Sequence, residues 1–92
     1  LMTCRAFIEG ARGLAAITGL QIDLLHRHPD EAARRAADDY VALMTPVVKA
    51  YFTDMGVEAA NLALQCFGGH GYIQEHGMEQ FLRDARIAPI YE

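Results

Sequence analysis

Two short segments near the end of the sequence carry residue types that bind ligands or transfer protons. Glycine fills three of the four positions in Gly68-Gly69-His70-Gly71, and Gln65 stands three residues before this run. Glycines let a backbone approach a phosphate or an aromatic edge that side chains would block, and they also end helices and form tight turns. The residues alone leave both possibilities open.

The second segment is Ile90-Tyr91-Glu92, the end of an extended stretch that we expect after the last helix. A carboxylate usually lies solvated on a protein surface. In a dry pocket, however, the pKa of a carboxyl group rises and it can remove a proton from a substrate. On the residues alone, the sequence names no partner for the Glu92 carboxylate, and a solvated surface glutamate is the simpler interpretation.

The spacing of histidine and cysteine does not indicate a metal site. His26 and His28 are two residues apart and point to different sides of a helix, and no Cys/His spacing resembles a zinc site. Cys4 and Cys66 both fall in apolar helical patterns. We therefore expect two buried, reduced thiols in a cytoplasmic protein rather than a disulfide.

The composition limits the possible classes of function. Ninety-two residues form at most one small domain, and the formal charge of -4 with scattered basic residues predicts neither a nucleic-acid groove nor a polybasic membrane patch. The apolar runs are too short to cross a bilayer. Because 52% of the residues are hydrophobic, we expect outer faces that pack on further protein.

The elements that must position these residues are helical. Apolar residues recur every three or four positions, and they predict helices over 3–25, 30–44 and 46–67 and a short helix over 78–87. Pro29 fits a first helical position, and Thr45-Pro46 fits an N-cap followed by a new helix or at least a kink. Gly68 fits a left-handed residue just after a helix, and Pro89 ends the last helix. The fold class is all-α, an antiparallel helical bundle whose first helix is covered on two sides.

Three pieces stand in a fixed order within residues 65–92: Q-C-F-G-G-H-G-Y, then R-D-A-R-I, then I-Y-E. This order resembles the C-terminal helical domain of the acyl-CoA dehydrogenases. In many members of that family of FAD-dependent enzymes a Q-x-x-G-G-x-G-[YF] loop, an R-D-A-[RK] helix and an I-Y-E-G-T segment follow one another. More weakly, H-P-D-E-A and T-P-V-V-K-A-Y resemble a bacterial branch that oxidises a broad range of acyl-CoAs or 3-methylthiopropionyl-CoA.

The resemblance implies a role for each candidate residue. Glu92 corresponds to the base that takes the α proton of the acyl-CoA substrate, and its backbone N–H corresponds to a donor to the thioester carbonyl. Tyr91 corresponds to a residue lining the acyl pocket. Gln65, Gly68 and Gly69 correspond to a loop that contacts the ADP half of an FAD held mainly by a neighbouring subunit. A homo-oligomer, with an electron-transfer flavoprotein as electron acceptor, is therefore implied.

By the same resemblance, Arg83 and Asp84 form a structural ion pair rather than part of the catalytic site. The family pattern continues with Gly-Thr after I-Y-E, so we interpret residues 1–92 as a fragment of the C-terminal helical domain and the bundle as incomplete. Two alternatives remain open. An acyl-CoA oxidase would share these helices and the base, and a stand-alone helical interaction or oligomerisation module would have no catalytic activity.

Overall fold

The structure, a computed structural model, describes residues 1–91, and Glu92 lies outside the described residues. It consists of three α-helices and two short 3₁₀ segments: α1 (Met2–Arg27), α2 (Glu31–Cys66), the 3₁₀ segments Gly68–Tyr72 and Gln74–His76, and α3 (Met78–Ile87). Residues 1–91 contain no strand. The prediction of an all-α helical bundle is confirmed.

Helices α1 and α2 pack against each other in antiparallel directions, because only three residues connect them. The inward face of α1 repeats every three or four residues and consists of buried or half-buried side chains at Cys4, Phe7, Ala11, Leu14 and Thr18. This spacing is typical of two helices that pack along their whole length. The Sγ of Cys4 lies 3.8 Å from the carbonyl oxygen of Ala59, so the start of α1 lies beside the second half of α2.

Helix α2 begins at Glu31, one residue later than predicted. Pro29 therefore lies before the helix and not at its first position. The Asp30 carboxylate accepts a hydrogen bond from the backbone N–H of Ala32 at 3.2 Å, which makes Asp30 the N-cap. The guanidinium of Arg34 donates to the carbonyl oxygen of His28 at 2.7 Å. The turn between the two helices is thus held by side chains from α2.

Of the two alternatives predicted at Thr45-Pro46, a new helix is wrong, since α2 runs through both residues, and a kink stays a prediction. Thr45 does not cap a following helix; its hydroxyl donates back to the Val41 carbonyl oxygen at 2.7 Å. Proline inside a helix costs about 3 kcal/mol because its N–H is missing and its ring crowds the preceding turn. Met44 and Val48, on either side of Pro46, are both half-buried on the stripe that faces α1. This shared packing keeps the two halves in one helix.

The bundle leaves much of its apolar surface uncovered. Its radius of gyration is 17.4 Å, against about 12 Å for a compact chain of this length. Its accessible surface is 6807 Å², against about 5,300 Å² for a compact protein of this mass. The described residues include no large side chain that is fully buried.

Helix α2, rather than α1, is the central helix. Helix α1 contacts α2 alone, and α3 and the Gly68–Tyr72 segment also pack on α2. The expectation that α1 is covered on two sides is therefore wrong for residues 1–91. Its outer side exposes Ile17 and Leu20 by 53% and 55%, far more than a core helix would show.

Candidate functional site

The glycine-rich segment follows directly from the end of α2. Helix α2 ends at Cys66, and the Phe67 N–H donates to the Leu64 carbonyl oxygen at 3.0 Å. Gly68 then takes a left-handed conformation with a φ of 58°. This positive φ confirms the prediction of a left-handed residue at this position. Glycine suits it because a residue with a Cβ is strained in that conformation.

Gly71 is the glycine whose missing side chain the packing requires. It is buried, and a Cβ built on it would lie 2.6 Å from the Leu64 carbonyl oxygen and 2.9 Å from the Phe67 Cβ. The segment therefore rests with its backbone directly on the last turn of α2. Gly71 was not predicted as a site residue. Its place as the third glycine of the run was the one feature of the sequence that could have indicated a close contact.

Gly69 differs from both neighbouring glycines. Apart from its two neighbours in sequence, no atom of residues 1–91 lies within 4 Å of a Cβ built on Gly69, and its φ is not positive. Neither backbone strain nor packing within residues 1–91 therefore requires glycine there. Gln65, Gly68 and Gly69 are all exposed and lie at the same end of α2. The structure thus places the three predicted loop residues together on an open surface.

The segment after α3 forms a turn rather than the predicted extended stretch. The backbone N–H groups of Ile90 and Tyr91 both donate to the carbonyl oxygen of Ile87, at 3.0 and 3.2 Å. Tyr91 is 58% exposed, so the described residues do not enclose it. The predicted base, Glu92, comes directly after this turn and lies outside the described residues.

Lys49, the only lysine in the sequence, holds this turn to α2. Its Nζ donates to the Tyr91 carbonyl oxygen at 2.6 Å and to the Ala88 carbonyl oxygen at 3.0 Å. The same nitrogen lies 5.6 Å from the centroid of the Tyr91 ring. The sequence gives no sign of a role for Lys49, because its partners are backbone atoms about forty positions away and leave no local pattern.

An open cleft of about 530 Å³ lies between α2 and the turn after α3. It is lined by Thr45, Pro46, Lys49, Ala50, Thr53, Asp54 and Pro89. Lys49 lines the cleft from α2, and Pro89 lines it from the turn after α3. Pro89, three positions before the candidate catalytic residue in the sequence, therefore forms part of one wall of a concave surface.

The remaining candidates are not assembled into a site. Arg83 and Asp84 are both exposed, and the predicted structural ion pair is not formed within residues 1–91. The rings of His70 and His76 meet edge to face, with centroids 5.2 Å apart. Across the described part of the chain, no three His, Cys, Asp or Glu residues cluster as metal ligands would.

The two cysteines do not pair. Both thiols are free, Cys4 half-buried and Cys66 exposed. The predicted burial is thus wrong for Cys66, which lies in the last turn of α2 beside the open end of the bundle. Within the described residues, no helix is long and apolar enough to cross a membrane.

The sequence was compared with protein families and with individual proteins. Residues 19–92 match the family model described as acyl-CoA dehydrogenase, C-terminal domain. The whole chain is 47% identical to a 3-methylmercaptopropionyl-CoA dehydrogenase of Ruegeria pomeroyi. It is 34% identical to a butyryl-CoA dehydrogenase of Syntrophomonas wolfei. It is also 34% identical to the broad-specificity linear acyl-CoA dehydrogenase FadE5 of Mycobacterium tuberculosis.

These relatives are much longer than the chain. Its 92 residues span 16% of the Ruegeria protein and 15% of each of the other two. No solved structure is significantly similar to the chain.

Proposed function

The chain belongs to the acyl-CoA dehydrogenase family, and we propose that it supplies the catalytic base and part of the flavin site of an FAD-dependent acyl-CoA dehydrogenase. The reaction is the α,β-dehydrogenation of an acyl-CoA thioester. The observation that carries the proposal is the match of residues 19–92 to the C-terminal domain of this family. That range contains the glycine-rich segment, the Lys49-held turn and Glu92.

The proposed role of Glu92 is to take the proton from the α carbon. The α proton of a thioester is too weakly acidic for a carboxylate in water to remove at a useful rate. A base held at the substrate in a dry pocket, where its pKa is raised, overcomes much of this barrier. A bound FAD would supply the hydride acceptor for the β carbon, and loss of the α proton and the β hydride would leave the thioester α,β-unsaturated.

The backbone of the same residue has a second proposed role. Removal of the α proton places negative charge on the thioester oxygen, and a hydrogen-bond donor aimed at that oxygen lowers the barrier. The N–H of Glu92 is the donor that we assign. Tyr91 precedes it and is 58% exposed, which leaves its ring available to line an acyl pocket completed by other parts of the protein.

The glycine-rich segment is the part of the chain that we assign to FAD binding. Gly69 lacks a side chain although neither strain nor packing within residues 1–91 requires this. The absence of a Cβ is useful at such a position when an outside group lies against the backbone. We propose that Gln65, Gly68 and Gly69 contact the ADP half of an FAD whose flavin ring is held elsewhere, mainly by a neighbouring subunit.

Partners of three kinds follow from this proposal. A flavin shared between subunits requires a homo-oligomer, and the uncovered apolar side of α1, with Ile17 and Leu20, supports burial against further protein. The acyl-CoA is the substrate, and an electron-transfer flavoprotein is the proposed electron acceptor. The free thiols of Cys4 and Cys66 support a cytoplasmic location.

The exposed apolar surface also favours a second candidate, a helical oligomerisation module without catalytic activity. An acyl-CoA oxidase is a third possibility, because oxygen would then replace the flavoprotein as the electron acceptor without changing these helices.

One experiment separates the three. The full-length protein that carries this chain is purified and mixed anaerobically with acyl-CoAs of graded length. A dehydrogenase is yellow, is bleached by its substrates and passes electrons to an electron-transfer flavoprotein. An oxidase is bleached too but is reoxidised rapidly by oxygen with release of hydrogen peroxide. A protein that purifies without flavin and does not react contradicts the proposed function and supports the oligomerisation module.

A further inference from the structure

Lys49 makes the only side-chain hydrogen bonds that join the turn after α3 to α2 within residues 1–91. Its Nζ donates to two carbonyl oxygens, those of Ala88 and Tyr91, at 3.0 and 2.6 Å. Bonds from an ammonium group are stronger than those between neutral groups. One cation on α2 therefore ties down both ends of a four-residue turn.

Apolar packing adds to the hold on this turn but involves only part of it. Ala88 and Pro89 are half-buried, whereas Ile90 and Tyr91 are 63% and 58% exposed. The backbone hydrogen bonds of Ile90 and Tyr91 both end on the Ile87 carbonyl oxygen, and they fix the local shape of the turn but not its position on α2. Helix α3 packs on α2 and positions the start of the turn, and Lys49 supplies the side-chain hydrogen bonds that fix the rest.

The bond from Lys49 to the Tyr91 carbonyl oxygen holds the peptide group that joins Tyr91 to Glu92. A trans peptide unit is planar, so its C=O and the following N–H share one plane and point in opposite directions. Whatever fixes the direction of the Tyr91 carbonyl therefore also fixes the direction of the N–H that follows it. The side chain of the next residue starts from the same peptide unit.

We propose that Lys49 is a positioning residue for Glu92: by holding the Ala88 and Tyr91 carbonyl oxygens it sets the place of the base and the direction of its backbone N–H. This inference rests on the proposed function, because it assumes that Glu92 is the base. Lys49 does not react with the substrate. Its effect comes through geometry, and a displacement of about 1 Å at a reacting group can cost about 10²-fold in rate.

The test uses the full-length enzyme with its flavin and measures anaerobic flavin reduction by stopped flow. The substrate is the acyl-CoA that reduces the wild-type flavin fastest in the graded series. Lys49→Met keeps the length of the side chain but removes the donors, and Lys49→Gln is a second, polar variant in case the first folds poorly. Both should reduce the limiting rate per bound flavin by about 10- to 100-fold, with FAD content and apparent substrate affinity changed by less than about threefold.

Two control variants separate position from charge and from folding. Lys49→Arg keeps a cation with several donors, so it should recover most of the wild-type rate. Arg86→Met removes a positive charge from the exposed surface of the neighbouring helix α3, where Arg86 forms no ion pair within residues 1–91. Its rate should stay close to that of the wild type.

Three results would overturn the inference. The first is a Lys49→Met or Lys49→Gln enzyme that reduces its flavin within about twofold of the wild-type rate. The second is an Arg86→Met enzyme slowed as much as Lys49→Met, because the effect would then be one of charge. The third is a loss of FAD from the Lys49 variants with an unchanged rate per remaining flavin, which would show a purely structural role.

A Glu92→Gln enzyme measured in parallel distinguishes this inference from the proposed function. If Glu92→Gln is slow and Lys49→Met is not, the base assignment stands and the positioning role fails. If Glu92→Gln reduces its flavin as fast as the wild type, the base assignment fails and the positioning role fails with it.

Discussion

Replacing Gly71 by alanine should destabilise the helical bundle measurably, although it adds only one methyl group. The new Cβ would lie 2.6 Å from the Leu64 carbonyl oxygen and 2.9 Å from the Phe67 Cβ, and the Leu64 Cγ would be 3.2 Å away. Cβ atoms do not approach other atoms closer than 3.0 Å, so the 3₁₀ segment must move away from the end of α2. The neighbour is a backbone carbonyl that cannot rotate aside, since it belongs to the last turn of a helix.

The expected loss is about 1–2 kcal/mol. Overpacking a tight contact costs about 1–3 kcal/mol, and the lower chain entropy of unfolded alanine relative to glycine offsets about 0.4–1 kcal/mol of this. For a domain of this size, such a loss lowers the melting temperature by about 5–15 °C. The measurement is thermal unfolding of the 92-residue chain, followed by circular dichroism at one fixed protein concentration.

Gly69→Ala is the matched control, two residues away in the same segment. Its Cβ would meet no atom within 4 Å and its φ is not positive, so the melting temperature should stay the same or rise slightly. If Gly71→Ala melts with the wild type, the close packing of the segment on α2 is wrong. If Gly69→Ala loses as much stability as Gly71→Ala, the assignment of different roles to the two glycines is wrong.

Three further outcomes are expected. Gly69→Val in the full-length protein should weaken FAD retention and the oligomer together, and a variant that purifies fully yellow with an unchanged oligomer would limit the segment to a structural role. The isolated 92-residue chain should be helical, should form dimers or larger species in sizing experiments because its apolar faces are uncovered, and should bind no FAD; a monomeric yellow preparation would contradict this. Pro46→Ala should stabilise the chain by about 1–3 kcal/mol in chemical denaturation, because alanine restores an N–H to the interior of α2; an unchanged or lower stability would show that the helix is distorted there.

The sequence was sufficient for those parts of the fold that depend on local chemistry. The apolar repeat of α1 predicted its length to within two residues at each end. Gly68 was correctly predicted as a left-handed residue, because a glycine that directly follows a long helix commonly adopts this conformation.

The wrong predictions concern residues whose local structure depends on contacts with parts of the chain that are distant in sequence. Pro46 is a strong local signal for a helix boundary, yet the packing of both halves of α2 against α1 outweighs it. The turn at 88–90 was predicted as extended because neither the Lys49 bonds nor the Ile87 carbonyl can be seen in a local pattern. Arg83 and Asp84 are adjacent and opposite in charge, but adjacency in sequence does not bring side chains together on a helix.

The candidate site was predicted from motif order rather than from geometry. Gln65, Gly68 and Gly69 are all exposed at the end of α2, and their contact with FAD stays a prediction. The specific need for Gly71 could not be predicted, since it depends on how the 3₁₀ segment folds back onto Leu64. The role of Glu92 stays a prediction as well.

The rate of flavin reduction in a Glu92→Gln variant of the full-length enzyme tests the central claim most directly. Glutamine keeps the shape of the side chain and the backbone N–H but cannot accept the α proton. Proton transfer by a positioned base contributes about 10²–10⁴-fold, so the stopped-flow rate should fall by at least about 10²-fold while the flavin stays bound. A variant that keeps its FAD and is reduced by acyl-CoA at nearly the wild-type rate would show that the base is another residue.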